Sequence, residues 1–222
     1  MKALIISSSP RRDGNSAALA REVARGLRGA RHEVKFLHAD DVLSGFLRDC
    51  RTCRGPDGAC SIGDGYGDVF FNDLLPAEGL IFASPVYWYG MSGQLKTFFD
   101  RMFCYVAASH PASGEVVSKL QGKRIGLVLS SEETFPTVAG GIVHQIQEYA
   151  RYTRSEFAGV VHGYGNARGD VARDPGNPVR QARQFGETFF TKPASDYKID
   201  TPRPARLWTQ GLSPSSPAPV TA

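Results

Sequence analysis

Short apolar runs alternate along this chain with segments whose apolar positions recur every three or four residues. A continuous apolar run is typical of a strand that is buried on both faces of a parallel sheet. Fourfold spacing, as in Leu19, Val23 and Leu27, is typical of an amphipathic helix. The pattern predicts strands at 2–7, 32–39, 79–85, 123–131 and 156–165. It predicts helices from Asn15 to the segment 26–30, and at 91–106, 137–152 and 178–191.

The alternation of strands and helices indicates one fold class. Strands joined by helical crossovers form parallel sheets that are covered on both faces. We therefore predict an α/β fold, a flavodoxin-like, doubly wound five-stranded parallel sheet with helices on both faces. Ligands of such sheets bind beyond the carboxyl ends of the strands. This rule directs attention to the loops 7–16, 84–92 and 130–141.

The composition is that of an ordinary globular protein. With 222 residues, 41% hydrophobic and 22% charged, the chain can build one substantial core without disulfide support. The net charge of +4 is spread along the chain without a cluster of basic and aromatic residues, which argues against nucleic-acid binding. We expect no membrane span and no signal peptide, because every apolar run is too short for either. A cytoplasmic protein is the resulting prediction.

A change in composition near the C-terminus suggests a boundary. We predict a domain at 1–191, followed by a Pro/Ser-rich segment at 192–222 whose last ten residues have a disordered composition. Apolar residues in the middle of this segment, such as Leu207 and Trp208, leave two interpretations open. The segment is either an arm that packs on a partner subunit or a free tail.

The loop "SSSPRRDGNS" at 7–16 joins the first strand to the first helix. A helix N-terminus presents unpaired N–H groups and favours negative charge, and this loop adds hydroxyl donors and two arginines. It lacks the G-K-[ST] of a nucleotide P-loop and the G-x-G-x-x-G of a dinucleotide turn. One interpretation is that Asn15 or Ser16 only caps the helix. Its position after the first strand favours a phosphate site, with Arg11 or Arg12 as the cation.

The segment "SPVYWYGMSGQLKTFFDR" at 84–101 contains the second set of candidate site residues. Tyr87, Trp88 and Tyr89 follow a strand and precede a glycine. Aromatic residues at a strand end often pack in a core or an interface, and that interpretation stays open. Exposed beside an anion site, the same residues would suit a flat aromatic ligand.

These two segments carry a family resemblance. They match the G/S-S-P-R-x-x-G-N-[ST] loop and the S-P-x-Y-x-x-x-x-S-x-x-[LM]-K-x-[FL]-[FL]-D-R segment of the NADPH-dependent FMN reductases. The chain resembles this family, which includes the iron–sulfur flavoproteins, over about residues 1–190. The resemblance implies a non-covalently bound FMN, NADPH or NADH as co-substrate, and a homodimer or a dimer of dimers. It makes the helix near Ser92 a candidate for dimer contact.

The resemblance also assigns expected roles to residues. By position, Ser9, Arg11, Asn15 and Ser16 would hold the FMN phosphate. Pro85, Val86, Tyr87 and Trp88 would line the isoalloxazine edge, with backbone N–H donors from the residues of this loop after the proline. Ser130 and Glu132 would border the ring from the other side.

Three cysteines form a partial motif. Cys50, Cys53 and Cys60 follow a C-x-x-C pattern with a third cysteine, which suggests a metal or cluster site. The iron–sulfur flavoproteins carry four cysteines, and Leu47 stands here at the first position. A cubic iron–sulfur cluster prefers four thiolates, and no histidine lies near the triad in the sequence. We therefore favour free thiols and no metal, and we expect Cys104 to be a core residue.

The function that the resemblance implies is an NAD(P)H-dependent oxidoreductase. Hydride would pass through flavin N5 to a small-molecule acceptor such as a quinone or a flavin, with the difficult chemistry on the cofactor. No catalytic side chain is assigned, because Glu132, Glu133 and His144 are better explained as structural or solvated residues. One alternative is a flavin-dependent dehydrogenase of a specialised metabolite. Another is a flavodoxin-type electron carrier, which the positive net charge disfavours.

Overall fold

Five parallel strands form the centre of the fold. The computed structural model describes residues 1–50, 52–135 and 137–193. The predicted arm or tail at 192–222 therefore lies outside the described residues apart from its first two positions. The strands are β1 (Lys2–Ser7), β2 (Glu33–His38), β3 (Gly79–Tyr87), β4 (Gly90–Met91), β5 (Arg124–Ser131) and β6 (Glu156–Tyr164).

The strand order is that of a flavodoxin-like sheet. Parallel strands lie in the order β2-β1-β3-β5-β6, and the two-residue β4 pairs antiparallel with the end of β3. The predicted fold class is therefore confirmed. The hairpin to β4 is an addition that the sequence pattern does not predict, because two residues are too few to show periodicity.

Helices form in all four predicted segments, one of which is interrupted, and two further helices form that were not predicted. They are α1 (Asn15–Gly29), α2 (Tyr66–Val69, continued by a π-helical turn at Phe70–Leu74), α3 (Gly93–Arg101), α4 (Phe103–Val106), α5 (Ser113–Leu120), α6 (Gly140–Tyr152) and α7 (Pro178–Thr188). The two that were not predicted are α2 and α5. The single helix predicted at 91–106 is wrong at its start, since Met91 belongs to β4, and wrong in its continuity, since a turn at Met102 separates α3 from α4. Ser92 caps α3 by accepting the Leu95 N–H at 3.3 Å. No helix within the described ranges is long and apolar enough to cross a membrane.

Two hydrophobic cores, one on each face of the sheet, explain the continuous apolar strands. In β1, Leu4 and Ile6 point into a core under α2, α3, α5 and α6, whereas Ala3 and Ile5 point into a core under α1 and α7. Helices α1 and α7 pack side by side there, with backbone against backbone. A Cβ on Gly26 would lie 2.1 Å from the Arg183 carbonyl oxygen, so this crossing requires glycine. The packing fixes α1 with its N-terminus at the carboxyl end of β1.

Candidate functional site

A cavity of about 610 Å³ lies at the carboxyl ends of β1, β3, β5 and β6. Its volume is within the range of about 300–1,000 Å³ that is usual for small-molecule sites. All ten residues predicted to bind the cofactor line it: Ser9, Arg11, Asn15, Ser16, Pro85, Val86, Tyr87, Trp88, Ser130 and Glu132. Their individual roles toward a cofactor remain predictions.

Seven further residues line the same cavity. They are Gly14, Tyr89, Ser131, Glu133, Gly165, Asn166 and Arg168. The last three come from the loop after β6, which the sequence analysis did not single out. The rule that ligands bind at the carboxyl ends of strands also applies to this strand, and would have found the loop.

One end of the cavity is the N-terminus of α1. The first hydrogen bond of the helix joins Ala18 N–H to the Gly14 carbonyl at 2.9 Å, so the N–H groups before it have no acceptor inside the helix. Among the described residues, no side chain caps this terminus. The Ser16 hydroxyl is buried and has no hydrogen-bond partner in the described part of the chain. Such an arrangement suits an anion, because unpaired donors converge where the helix dipole is positive.

Two of the residues predicted to bind the phosphate have side chains that already form hydrogen bonds within the protein. The Ser9 hydroxyl donates to the Arg11 carbonyl at 2.8 Å and accepts the Arg11 N–H at 3.1 Å. The Asn15 amide donates to the carbonyls of Gly165 and Ala167 at 3.1 and 3.0 Å, which ties α1 to the loop after β6. Both therefore shape the loop, and Ser16 is the hydroxyl that remains available.

The arginines of the loop separate into two groups. Arg12 forms an ion pair with Asp41 and does not line the cavity. Arg11 lines the cavity, and its guanidinium forms no hydrogen bond or ion pair with the described residues. Arg168 approaches from the loop after β6 and is paired with Asp13 at 3.0 Å. Arg11 is therefore the cation of the loop that can meet an anion without losing a partner.

A buried chain of serines joins this end of the cavity to the aromatic loop after β3. The Ser92 hydroxyl donates to Ser8 Oγ at 2.8 Å, and Ser8 Oγ donates to the Ala83 carbonyl at 2.8 Å. The Ser92 N–H donates to Ser84 Oγ at 2.9 Å. Buried hydroxyls whose hydrogen bonds are satisfied in this way fix the two loops relative to each other.

The third wall of the cavity comes from the segment after β5. Glu132 accepts a hydrogen bond from the Asn166 amide at 2.9 Å. The Ser131 hydroxyl donates to the Glu133 carbonyl at 2.8 Å, so the 2.8 Å contact with His162 has the imidazole Nε2–H as donor. Burial lowers the pKa of His162, which keeps the ring neutral. His144, a catalytic candidate from the sequence, is exposed on α6 and does not line the cavity.

The residues present fit a ligand that carries a phosphate at one end and a flat ring at the other. The Ser16 hydroxyl and the open helix terminus supply donors for the anion. Tyr87, Trp88 and Tyr89 supply exposed aromatic surface beside Ser130. FMN has both of these chemical features.

Comparison with known proteins identifies the family. A family model described as "Flavodoxin-like fold" matches residues 1–176. The chain belongs to this flavodoxin-like family. The membership agrees with the resemblance that the two motifs carry, and it confirms that resemblance.

Individual relatives of this flavodoxin-like protein differ in how much of the chain they match. It is 27% identical over 175 residues to YwqN of Bacillus subtilis, which is assigned as an NAD(P)H-dependent FMN-containing oxidoreductase, covering 78% of this chain and 91% of the relative. It is 35% identical over 101 residues to the iron–sulfur flavoprotein MJ1083 of Methanocaldococcus jannaschii, covering 46% of this chain and 51% of that relative. The chain thus matches only about half the length of the iron–sulfur protein.

A solved structure supports the fold independently. The Trp repressor binding protein from Bacillus subtilis superposes with a TM-score of 0.61 at 21% identity, covering 87% of this chain and 99% of that chain. An identity this low shows the shared fold alone. It adds nothing about the reaction.

The cysteines of this flavodoxin-like protein come together more closely than the sequence indicates. All four are free thiols, and Cys104 is buried as predicted. The Cys104 thiol lies within hydrogen-bonding reach of Cys50 and Cys60, and burial raises its pKa to about 12. Sequence reasoning assigned it to the core and missed these thiol contacts, because Cys104 is 44 residues beyond Cys60.

A histidine also reaches the cysteine loop, which corrects the expectation that none lies near it. A Cβ on Gly58 would lie 2.5 Å from His110 Nε2. Arg101, paired with the buried Asp64, donates to Cys60 Sγ at 3.6 Å. Within the described ranges, however, no group of three or more histidine, cysteine or acidic side chains is arranged to hold a metal ion.

Proposed function

We propose that this protein is an FMN-dependent oxidoreductase that transfers two electrons from NADPH or NADH to a small-molecule acceptor, such as a quinone or a flavin. The observation that carries the proposal is the cavity with an open helix terminus and an unpartnered Ser16 hydroxyl at one end and exposed aromatic residues at the other. YwqN, matched over 78% of this chain, bears a name with the same cofactor and co-substrate, which supports the proposal.

Each wall of the cavity would then have a distinct task. The N–H groups at the start of α1, the Ser16 hydroxyl and the Arg11 guanidinium would hold the phosphate of FMN. The backbone from Pro85 to Trp88 would border the isoalloxazine ring, with Ser130 and Glu132 opposite. Ser9 and Asn15 would act indirectly, since their hydrogen bonds shape the phosphate loop.

The cofactor would supply the redox chemistry, and the protein would supply position and polarity. FMN carries two electrons between a nicotinamide donor and an acceptor when it is bound. NAD(P)H gives up a hydride, which carries two electrons and one proton. A second proton comes from solvent, and a quinone acceptor leaves as the hydroquinone. His162, whose pKa is lowered by burial, would help to position Ser131 in this wall through their 2.8 Å hydrogen bond.

We further propose a homodimer or a dimer of dimers in the cytoplasm. A second groove of about 540 Å³, mostly apolar and bordered by Phe99, Met102, Phe103 and Ile146, runs between α3, α4 and α6. It includes the helix that the resemblance suggests for dimer contact. Free thiols at all four cysteines are consistent with a reducing compartment. The molar mass in solution, measured by light scattering, tests the oligomer.

The function itself is tested by absorbance and turnover. The purified protein should show the paired visible bands of oxidised flavin, or acquire them when FMN is added. It should oxidise NADPH or NADH faster when 1,4-naphthoquinone is present. A carrier would show no direct turnover, and a metabolite dehydrogenase would not be reduced by NAD(P)H. A colourless protein that fails to bind FMN would overturn the proposal.

A further inference from the structure

Four thiols lie in contact beneath the loop that joins β2 to α2. Cys50 and Cys104 are buried in the core on that face of the sheet, and Cys53 and Cys60 are half-buried and pack against it. Side-chain contacts run from Cys53 to Cys50, from Cys50 to Cys104 and from Cys104 to Cys60. The two inner thiols of this row are therefore shielded from solvent, whereas the two outer ones are partly accessible.

Two arginines hold Cys60 against Cys104. Arg101, three positions before Cys104, donates to Cys60 Sγ at 3.6 Å. Arg54, six positions before Cys60, donates to the Cys104 carbonyl at 2.5 Å. These hydrogen bonds run in both directions between the loop and the α3–α4 segment. They keep the two sulfur atoms within reach of each other, although 44 residues separate them in the chain.

Cys60 has the surroundings of a reactive thiol. The thiolate is the form of a cysteine that attacks an oxidant, and a neighbouring cation stabilises it. Arg101 supplies that cation, since its buried guanidinium donates to Cys60 as well as to Asp64 at 2.9 Å. Burial raises the pKa of Cys104 to about 12, so that residue stays a neutral thiol at physiological pH. Cys60 is thus suited to react first, and Cys104 to react second.

We propose that Cys60 and Cys104 form a peroxide-reactive dithiol, in which a hydroperoxide oxidises Cys60 and Cys104 then closes an intramolecular disulfide. The inference is independent of the proposed function, because neither cysteine lines the cavity beyond the strands. Disulfides that form in a reducing compartment are typically transient and serve catalysis or redox sensing.

The chemistry takes two steps. The Cys60 thiolate attacks the hydroperoxide, the O–O bond breaks, and a proton from solvent completes the leaving alcohol, or water when the oxidant is hydrogen peroxide. The product at Cys60 is a sulfenic acid. The Cys104 thiol attacks its sulfur, an S–S bond forms, and the sulfenic oxygen leaves as water. The two thiols have then lost two electrons to the peroxide, and a dithiol reductant restores both by exchange.

Peptide mapping tests the pairing directly. The full-length protein is reduced, desalted, kept free of NAD(P)H, treated with equimolar hydrogen peroxide and alkylated with N-ethylmaleimide in urea. Trypsin then places each cysteine on its own peptide: Cys50 on 49–51, Cys53 on 52–54, Cys60 on 55–96 and Cys104 on 102–119. We expect a disulfide between peptides 55–96 and 102–119 that dithiothreitol removes. Any other pairing, or no disulfide, would overturn the proposal, and this result does not depend on the folding of a variant.

Three variants separate the roles of the two thiols. Cys104→Ala keeps the attacking thiol and loses its partner, so dimedone should label Cys60 as a sulfenic acid about tenfold more than in the wild type. Cys60→Ser should lose its thiols to peroxide about tenfold more slowly than the wild type. Cys53→Ser removes the other half-buried cysteine of the loop and is the matched control, which should react at the wild-type rate. A wild-type rate in Cys60→Ser, or dimedone on Cys50 or Cys53 in place of Cys60, would contradict the assignment.

Discussion

Two buried serines give a sharp test of the phosphate site. Ser7 and Ser16 are 0% and 1% exposed, and neither hydroxyl has a hydrogen-bond partner in the described part of the chain. Ser16 lines the cavity at the start of α1, whereas Ser7 ends β1 and does not line it. The substitutions Ser16→Ala and Ser7→Ala therefore each remove one buried hydroxyl without a partner in the described part of the chain, and of the two only Ser16 lines the cavity.

The expected effects follow from the hydrogen bonds that each serine can make. A hydrogen bond to a charged group contributes about 1.5–3 kcal/mol, so Ser16→Ala should weaken FMN binding about tenfold to a hundredfold. Ser7→Ala should leave the FMN Kd unchanged. Removing a buried hydroxyl without a partner should raise the free energy of unfolding of each FMN-free variant by about 1 kcal/mol.

Two titrations measure these effects. Quenching of FMN fluorescence gives the Kd of wild type and of each variant, and urea unfolding without FMN gives their stabilities. Equal FMN affinity in Ser16→Ala and Ser7→Ala would refute the phosphate site. A matching loss of affinity in both variants would show that the effect comes from the fold and not from contact with the ligand.

Two further predictions concern the fold. Gly26→Ala should lower the free energy of unfolding, measured with urea, by about 3 kcal/mol, since its Cβ would lie 2.1 Å from a backbone oxygen of α7. The control is Gly29→Ala on the same helix, where a Cβ would have nothing within 4 Å, and this substitution should not lower the free energy of unfolding. Lys123 donates to two buried carbonyls and burial lowers its pKa to about 8, so the unfolded chain binds more protons between pH 8 and 10.5. Relative to Lys123→Met, wild-type stability should rise across that window by up to about 3 kcal/mol, and parallel pH profiles would contradict the buried lysine.

The fold could be predicted from the sequence because the spacing of apolar residues that marks strands and helices is local and periodic. In β1, Leu4 and Ile6 face one core while Ala3 and Ile5 face the other, and this leaves a continuous apolar run that any reading of the pattern detects. The interruption of the helix after Arg101 was not predicted, because the apolar pattern continues across it. The two-residue β4 was missed because it has no period.

The sequence predicted which loops form the site better than it predicted what each side chain contacts there. All ten candidate residues line one cavity, since carboxyl ends of parallel strands meet at one edge of the sheet. The sequence could not show that Asn15 is bonded to Gly165, 150 residues away. Nor could it show that His162 lies against Ser131 or that Cys104 lies against Cys50.

The amino-acid sequence by itself thus determined the fold class, the edge of the sheet that carries the site and the kind of ligand that suits it. These properties depend on residue type and spacing within single elements. The tertiary structure decided which hydroxyl is left without a partner, which arginine is left unpaired, and that Cys60 meets Cys104. Such outcomes depend on distances between elements far apart in the chain, and packing alone sets those distances.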